Sequence, residues 1–141
     1  MSKTVLVPIS NGSEELEAVT IIDVLRRAGA EVRVASVAPC DGMQICASRG
    51  TNIVADCRIA DCVNCTEQVL WDLIAVPGHL PGAEHLAASE ELDQLLRSQV
   101  ATGRLYAAIC AAPYQGMATK GLLADKGATC HLMYHQQLEA K

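Results

Sequence analysis

Phenylalanine is absent from the 141 residues, tryptophan occurs once, and aromatic side chains make up 3% of the chain. A core without aromatics must be filled by aliphatic and small residues. Half the sequence is hydrophobic, which supplies them and excludes intrinsic disorder. Excess positive charge is also missing: 11 Lys+Arg stand against 16 Asp+Glu, a formal net charge of −5. No basic patch stands out, so a phosphate backbone would be repelled over most of the surface and nucleic acid is no expected partner. Membrane-length apolar runs are lacking too; the longest, such as Thr4 to Ile9, suit a strand. No charged start leads into an apolar stretch and a small-residue cleavage site. A reducing cytoplasm, with no membrane partner, is therefore the expected setting.

What the chain does have is cysteine, seven in all: Cys40, Cys46, Cys57, Cys62, Cys65, Cys110 and Cys130. An odd number leaves at least one thiol unpaired. In a reducing compartment such thiols are inert core residues or functional groups, and position decides which. The length suits one domain over residues 1–141, large enough to bury a core.

Thr4 to Ile9 is a continuous apolar run of the kind buried on both faces of a sheet. After a turn, Ser13 is placed to cap a helix running to about Ala28. Glu14, Glu15 and Glu17 in its first turn suit the positive end of the helix dipole, and Gly29 suits its stop. Glu31 to Val37 alternates as a strand does. Met43 to Ile45 and Asn52 to Ala55 suit a small hairpin around Arg49-Gly50. Trp71 to Val76 and Leu105 to Ile109 read as two further strands. Between them Ser89 opens a helix to about Val100, with Leu92, Leu95, Leu96 and Val100 inward. Pro113 fits the first turn of a last helix and Gly121 its end. Strands alternating with helices imply a mostly parallel sheet covered on both faces, with ligands beyond the C-terminal strand ends.

Three strand ends carry residues that need explaining. Glu17 shares a helical face with Ile21, Val24, Leu25 and Ala28, so its carboxyl points toward a core and requires a raised pKa or a partner. Glu14 and Glu15 read simply as acids answering the dipole. Cys110 sits at an abrupt strand-to-helix junction among Ala108, Ala111 and Ala112, the small neighbours a strained nucleophile elbow needs. A helix N-terminus there would lower the thiol pKa. Pro77-Gly78-His79-Leu80-Pro81-Gly82 follows the third strand, and a glycine turn can aim backbone N–H groups at a reacting carbonyl. Taken alone it reads as an ordinary strand ending.

In this order, GSEELEA, VPGHLPGAEHL and AAICAAP resemble the ThiJ/PfpI superfamily. The similarity is greatest to the branch of the parkinsonism-associated protein deglycase and of bacterial homologues named for thiazole synthesis. It runs from the first strand to Lys141. The resemblance implies a flavodoxin-like (Rossmann-like) three-layer α/β sandwich with a mostly parallel sheet, usually a homodimer. It further implies an oxidisable elbow cysteine beside a protonated glutamate, with no metal and no cofactor. Carried over by motif, Cys110 takes the nucleophile's place, Glu17 the glutamate's, and His131 that of a histidine near the cysteine. Gly78, His79 and Ala111 take the oxyanion-hole positions, and Arg49 that of a dimer-side arginine. The fold so implied continues past Thr129-Cys130-His131 with a further strand and closing helix, which a chain stopping at Lys141 lacks.

The activities implied are conversion of methylglyoxal to lactate (glyoxalase III), repair of glycated proteins (deglycase), oxidative-stress sensing and chaperone action. A small aldehyde or a glycated protein is then the expected partner. The residues suit the first chemistry: Cys110 attacks the aldehyde, Glu17 shuttles the proton, and N–H groups hold the developing enolate. Oxidation of Cys110 to a sulfinate beside Glu17 suits a sensor instead. His79 stands where relatives carry a second glycine, so an inactive paralogue is the third possibility. Ala112 replaces a common glycine, and Leu132 a proline. Ala111 stands where the peptidase branch has histidine, which counts against proteolysis. Cys62-Val63-Asn64-Cys65 has zinc-knuckle spacing, yet no second such pair exists and His131 and His135 lie far along the chain. His85 reads as solvated.

Overall fold

A computed structural model describes residues 2–39, 42–63 and 70–140. The chain runs β1 (Thr4–Ile9), α1 (Glu15–Arg27), β2 (Glu31–Ser36), β3 (Gln44–Cys46), β4 (Asn52–Val54), β5 (Cys57–Arg58) and α2 (Ile59–Val63). It continues with β6 (Leu73–Val76), α3 (Gly82–Ala88), α4 (Glu90–Ala101) and β7 (Leu105–Ala108). A π-helical turn at Pro113–Met117, 3-10 turns at Ala118–Lys120 and Leu132–Tyr134, and α5 (His135–Glu139) complete it.

One five-stranded sheet in the order β5-β2-β1-β6-β7 forms the centre, and every pairing in it is parallel. Without the short edge strand β5, the order is that of the first four strands of a flavodoxin-like sheet. β3 and β4 pair antiparallel as a separate hairpin, as the sequence suggested. The apolar run of β1 serves both faces. Val5, Val7 and Ile9 pack against Ala18, Ile21, Ile22 and Leu25 of α1, while Leu6 faces the core beneath α2, α3 and α4. Leu6, Val7 and Ile9 are wholly buried, each contributing about 1.5–3 kcal/mol of transfer free energy. The C-terminal ends of the five parallel strands therefore lie along one rim.

Four local expectations are corrected. Ser13 does not cap α1: its Oγ accepts the Ser10 N–H at 3.0 Å inside the preceding turn, and Glu14 takes the cap position. Val100 is exposed on α4, and the buried place falls to Gln99, whose Nε2 donates to the Leu105 carbonyl at 2.6 Å. On α1, Val24 and Ala28 are exposed, and Val24 borders an open apolar hollow with Ala75, Val76 and Ala107 that nothing among the described residues fills. Finally, no regular α-helix follows Cys110; the chain passes through the π-helical and 3-10 turns to Gly121, which ends them at φ 72°. Ser89 does cap α4, accepting the Leu92 N–H at 3.1 Å. Cys40, Cys65 and Lys141 lie outside the described residues.

Candidate active site

β7 ends at Ala108, and the Ile109 N–H still bonds the Val76 carbonyl at 3.2 Å, so the chain holds its line until it must turn. It turns at Cys110, whose φ of 62° is left-handed. For a residue with a Cβ that conformation costs roughly 1–2 kcal/mol, and surrounding bonds enforce it. The Ala112 N–H closes on the Ile109 carbonyl at 3.1 Å, and the His131 N–H clamps the Cys110 carbonyl at 2.6 Å. Ala111 and Ala112 are almost fully buried, so small side chains are what the junction accommodates.

The glycine turn is pressed against this elbow. A Cβ on Gly78 would lie 2.6 Å from the Ile109 carbonyl oxygen, 2.7 Å from the Cys110 Cβ and 2.9 Å from the Ala111 nitrogen. Two of these atoms belong to the backbone and cannot swing aside. Only glycine permits the approach.

Glu17 reaches across from α1. Its Oε2 accepts the Gly78 N–H at 2.7 Å, and its carboxyl lies close enough to the Cys110 thiol to push that thiol's pKa up. The partner demanded of an inward-pointing carboxyl is thus the turn together with the thiol. The Glu14 N–H donates to the Gly78 carbonyl at 3.2 Å, which fixes α1 to the same turn. His79 has a φ of 70°, so its Cβ does not prevent the left-handed backbone that glycine would adopt. Its N–H and that of Ala111 lie near enough to the sulfur to pull the thiol's pKa down. The Gly78 N–H, one of three candidate oxyanion donors, is taken by Glu17. The His79 ring turns away from the thiol, its Nδ1 3.5 Å from Glu14 Oε2.

Burial pushes the Cys110 thiol above its ordinary range; the Glu17 charge adds to this, while the His79 and Ala111 N–H groups oppose it. The lowered pKa expected from a helix N-terminus is corrected. Burial around the sulfur outweighs the N–H groups that would stabilise a thiolate there.

His131 is near Cys110 through its backbone. Its imidazole Nδ1 instead accepts the Met133 N–H at 3.3 Å and caps the turn at Leu132–Tyr134. Arg49 is exposed, and its N–H donates to Glu15 Oε1 at 2.9 Å. His85 is not merely solvated: its Nδ1 lies 2.9 Å from the Asn11 carbonyl and ties α3 to the turn after β1.

Sequence reasoning missed two features. Glu14 and Glu15 do more than answer a dipole, since the Ser48 hydroxyl lies 2.8 Å from a carboxylate oxygen of each. Desolvation opposes ionisation of Glu15, but donors from its own backbone, Ser48, Thr51 and Arg49 prevail and hold it at about 2. Nothing in the periodicity of α1 signals a loop thirty residues away. Cys130 is the second: burial, then the charge of Cys110, push its thiol up, so it lies within electrostatic reach of the elbow. Its position beside His131 was the available signal. Among the described residues no group of three or more His, Cys, Asp or Glu side chains is placed to hold a metal ion. No helix among them is long and apolar enough to cross a membrane.

The sequence profile of the DJ-1/PfpI family matches residues 3–141. Protein DJ-1 homolog B of Arabidopsis thaliana is 45% identical over 139 residues, which cover 99% of this chain but 30% of that protein. The chain thus spans about a third of that relative's length. The glutathione-independent glyoxalase DJR-1.2 of Caenorhabditis elegans is 36% identical over 132 residues, 92% of this chain and 64% of that protein. Among solved structures, oxidized Toxoplasma gondii DJ-1 superposes with a TM-score of 0.89 at 44% identity, over 96% of this chain and 71% of that one.

Proposed function

The chain belongs to the DJ-1/PfpI family, and on that premise we propose that it is a cofactorless, cysteine-dependent glyoxalase III or protein deglycase acting on α-oxoaldehydes or their protein adducts. The observation that carries this reading is Glu17 set beside Cys110 at a left-handed elbow, with the His79 and Ala111 N–H groups next to the sulfur. Glu17 accepts the thiol proton as sulfur bonds to the aldehyde carbon of methylglyoxal, and the carbonyl oxygen becomes the hydroxyl of a hemithioacetal. The same carboxyl then moves a proton from the aldehyde carbon to the neighbouring keto carbon by way of an enediolate, whose charge faces the two N–H groups. The product is a thioester on Cys110, and water releases it as lactate. A relative named as a glutathione-independent glyoxalase, 36% identical and covered over 64% of its length, supports this chemistry.

Ala111, standing directly after the nucleophile, supplies no base for peptide hydrolysis. A reducing cytoplasm keeps the elbow thiol available between turnovers. A homodimer would cover Leu16 and Val19, exposed on α1 beside Glu15, whose carboxylate accepts the Arg49 N–H.

Lactate formation from methylglyoxal, measured side by side for the wild type and Cys110→Ala, tests the reading. Activity should fall to background in the variant, a loss of at least ~10³-fold; equal rates would exclude the enzyme. A second reading, a redox sensor or chaperone, draws on the oxidized state of the Toxoplasma neighbour. It requires mild peroxide to add two oxygens at Cys110 ahead of the other thiols. Uniform oxidation of all seven cysteines would count against it.

A further inference from the structure

A second pair of thiols lies at the opposite edge of the sheet. Cys57 opens β5, in register with Ala35 of β2, and Cys62 sits in α2, which follows β5 without a loop. Asp61 accepts the Arg58 N–H at 3.0 Å and secures this strand-to-helix junction. The junction folds the chain back so that the sulfurs of Cys57 and Cys62 lie 3.6 Å apart. Cys62 is buried in the core with Val37, Ile59 and Trp71, whereas Cys57 is half-buried and reachable from solvent. The order β5-β2-β1-β6-β7 puts three strands between this pair and the elbow strand.

A disulfide needs the sulfurs about 2.05 Å apart, so the pair must close by only about 1.5 Å, within reach of side-chain rotation. Side chains that already touch pay little of the entropy that normally opposes joining them. Burial pushes the Cys57 thiol above its ordinary range, ahead of a hydrogen bond from Cys62 and the Arg33 charge, which pull it down, and of Asp61 and Asp56, which push it up. Little thiolate is therefore present at neutral pH, and proximity rather than nucleophilicity is what favours oxidation of this pair.

We propose that Cys57 and Cys62 form a redox dithiol, separate from the elbow, which a low-molecular-weight disulfide converts to an intramolecular disulfide. The Cys57 thiolate attacks one sulfur of the reagent, forming a mixed disulfide and expelling one thiol. Cys62 loses its proton, attacks the Cys57 sulfur and expels the second thiol. The two cysteines give up two electrons and two protons, and the reagent leaves as two thiols. The product clips α2 to the edge strand. The zinc-knuckle spacing around Cys62 is then incidental, because the partner lies upstream.

The test is incubation of the full chain with glutathione disulfide, followed by tryptic mapping without reduction. Arg58 separates the two cysteines, so peptides 50–58 and 59–97 stay together only if a disulfide joins them. Linked peptide should exceed a glutathione adduct on Cys57 by about tenfold or more, given a resolving thiol at contact distance. It should persist in Cys110→Ala and in Cys65→Ser, and disappear in Cys62→Ala. A stable glutathione adduct on Cys57 in the wild type would overturn the proposal. So would linkage that survives Cys62→Ala but is lost in Cys65→Ser. The wild-type and Cys65→Ser arms leave both members of the pair intact, so the result does not depend on how a core substitution folds.

Discussion

Two neighbouring strands end in turns that look alike and behave differently. After β6 and after β7 the chain places a residue with a Cβ in the left-handed region, His79 at φ 70° and Cys110 at φ 62°. After β6 the turn is extended by Pro77-Gly78 and leads through Pro81 into a regular helix, α3. After β7 there is no such spacer, and irregular turns follow at once. The first turn delivers backbone: the Gly78 N–H to Glu17 and the His79 N–H to the thiol. The second delivers a side chain. Each is strained alone, and each is held by the other, because Gly78 packs too closely on Ile109, Cys110 and Ala111 to admit a Cβ. The site is therefore a joint between two turns, with Glu17 as the pin.

Removing the pin should have the largest effect. Glu17→Gln keeps the shape but not the proton transfer, so methylglyoxal turnover should fall about 10²–10⁴-fold. Thiol reactivity should move the opposite way. Glu17 charge raises the Cys110 pKa, and its loss lowers that value, so more thiolate exists at any pH below it. Iodoacetamide labelling of Cys110 should accelerate at pH 7, with its pH midpoint displaced downward. A parallel fall in labelling and turnover would mean that Glu17 positions the thiol rather than moving protons.

Wedging the joint should come next. Gly78→Ala places a methyl group against backbone on both sides of Cys110, and a displacement of about 1 Å at a reacting centre costs on the order of 10²-fold. Turnover should drop by that amount while the far-ultraviolet circular dichroism stays as in the wild type. An unchanged rate would show that the two turns are not in fact mechanically joined.

The sequence carried most of the fold and the principal chemical groups, for a physical reason. Residues in β1 are buried by their immediate neighbours, so composition alone identifies them, and Cys110 advertises itself by the alanines that crowd it. What escaped depends on contacts across the fold. The ionised state of Glu15 comes from Ser48, Thr51 and Arg49, and the Cys57–Cys62 contact from a strand too short to show a period. The thiol pKa of Cys110 was expected to fall with a helix dipole and instead rises with burial. Local pattern cannot decide it, because desolvation is a property of everything packed around the sulfur.

The smallest effect is expected where the sequence looked most anomalous. His79→Gly restores the residue type that the turn's backbone favours, and relief of a left-handed Cβ is worth roughly 1–2 kcal/mol. Glycine also loses about 0.5–1 kcal/mol more backbone entropy on folding, and the contact of Nδ1 with Glu14 disappears. These terms oppose one another, so the melting temperature should shift by only a few degrees. Turnover should stay within about threefold, because the N–H, not the ring, faces the sulfur and an N–H survives the change. A fall as deep as that of Glu17→Gln would make the imidazole a participant in the reaction. A large rise would instead show that the Cβ had been holding the N–H off its target, and that the wild-type turn is the impaired one of the two.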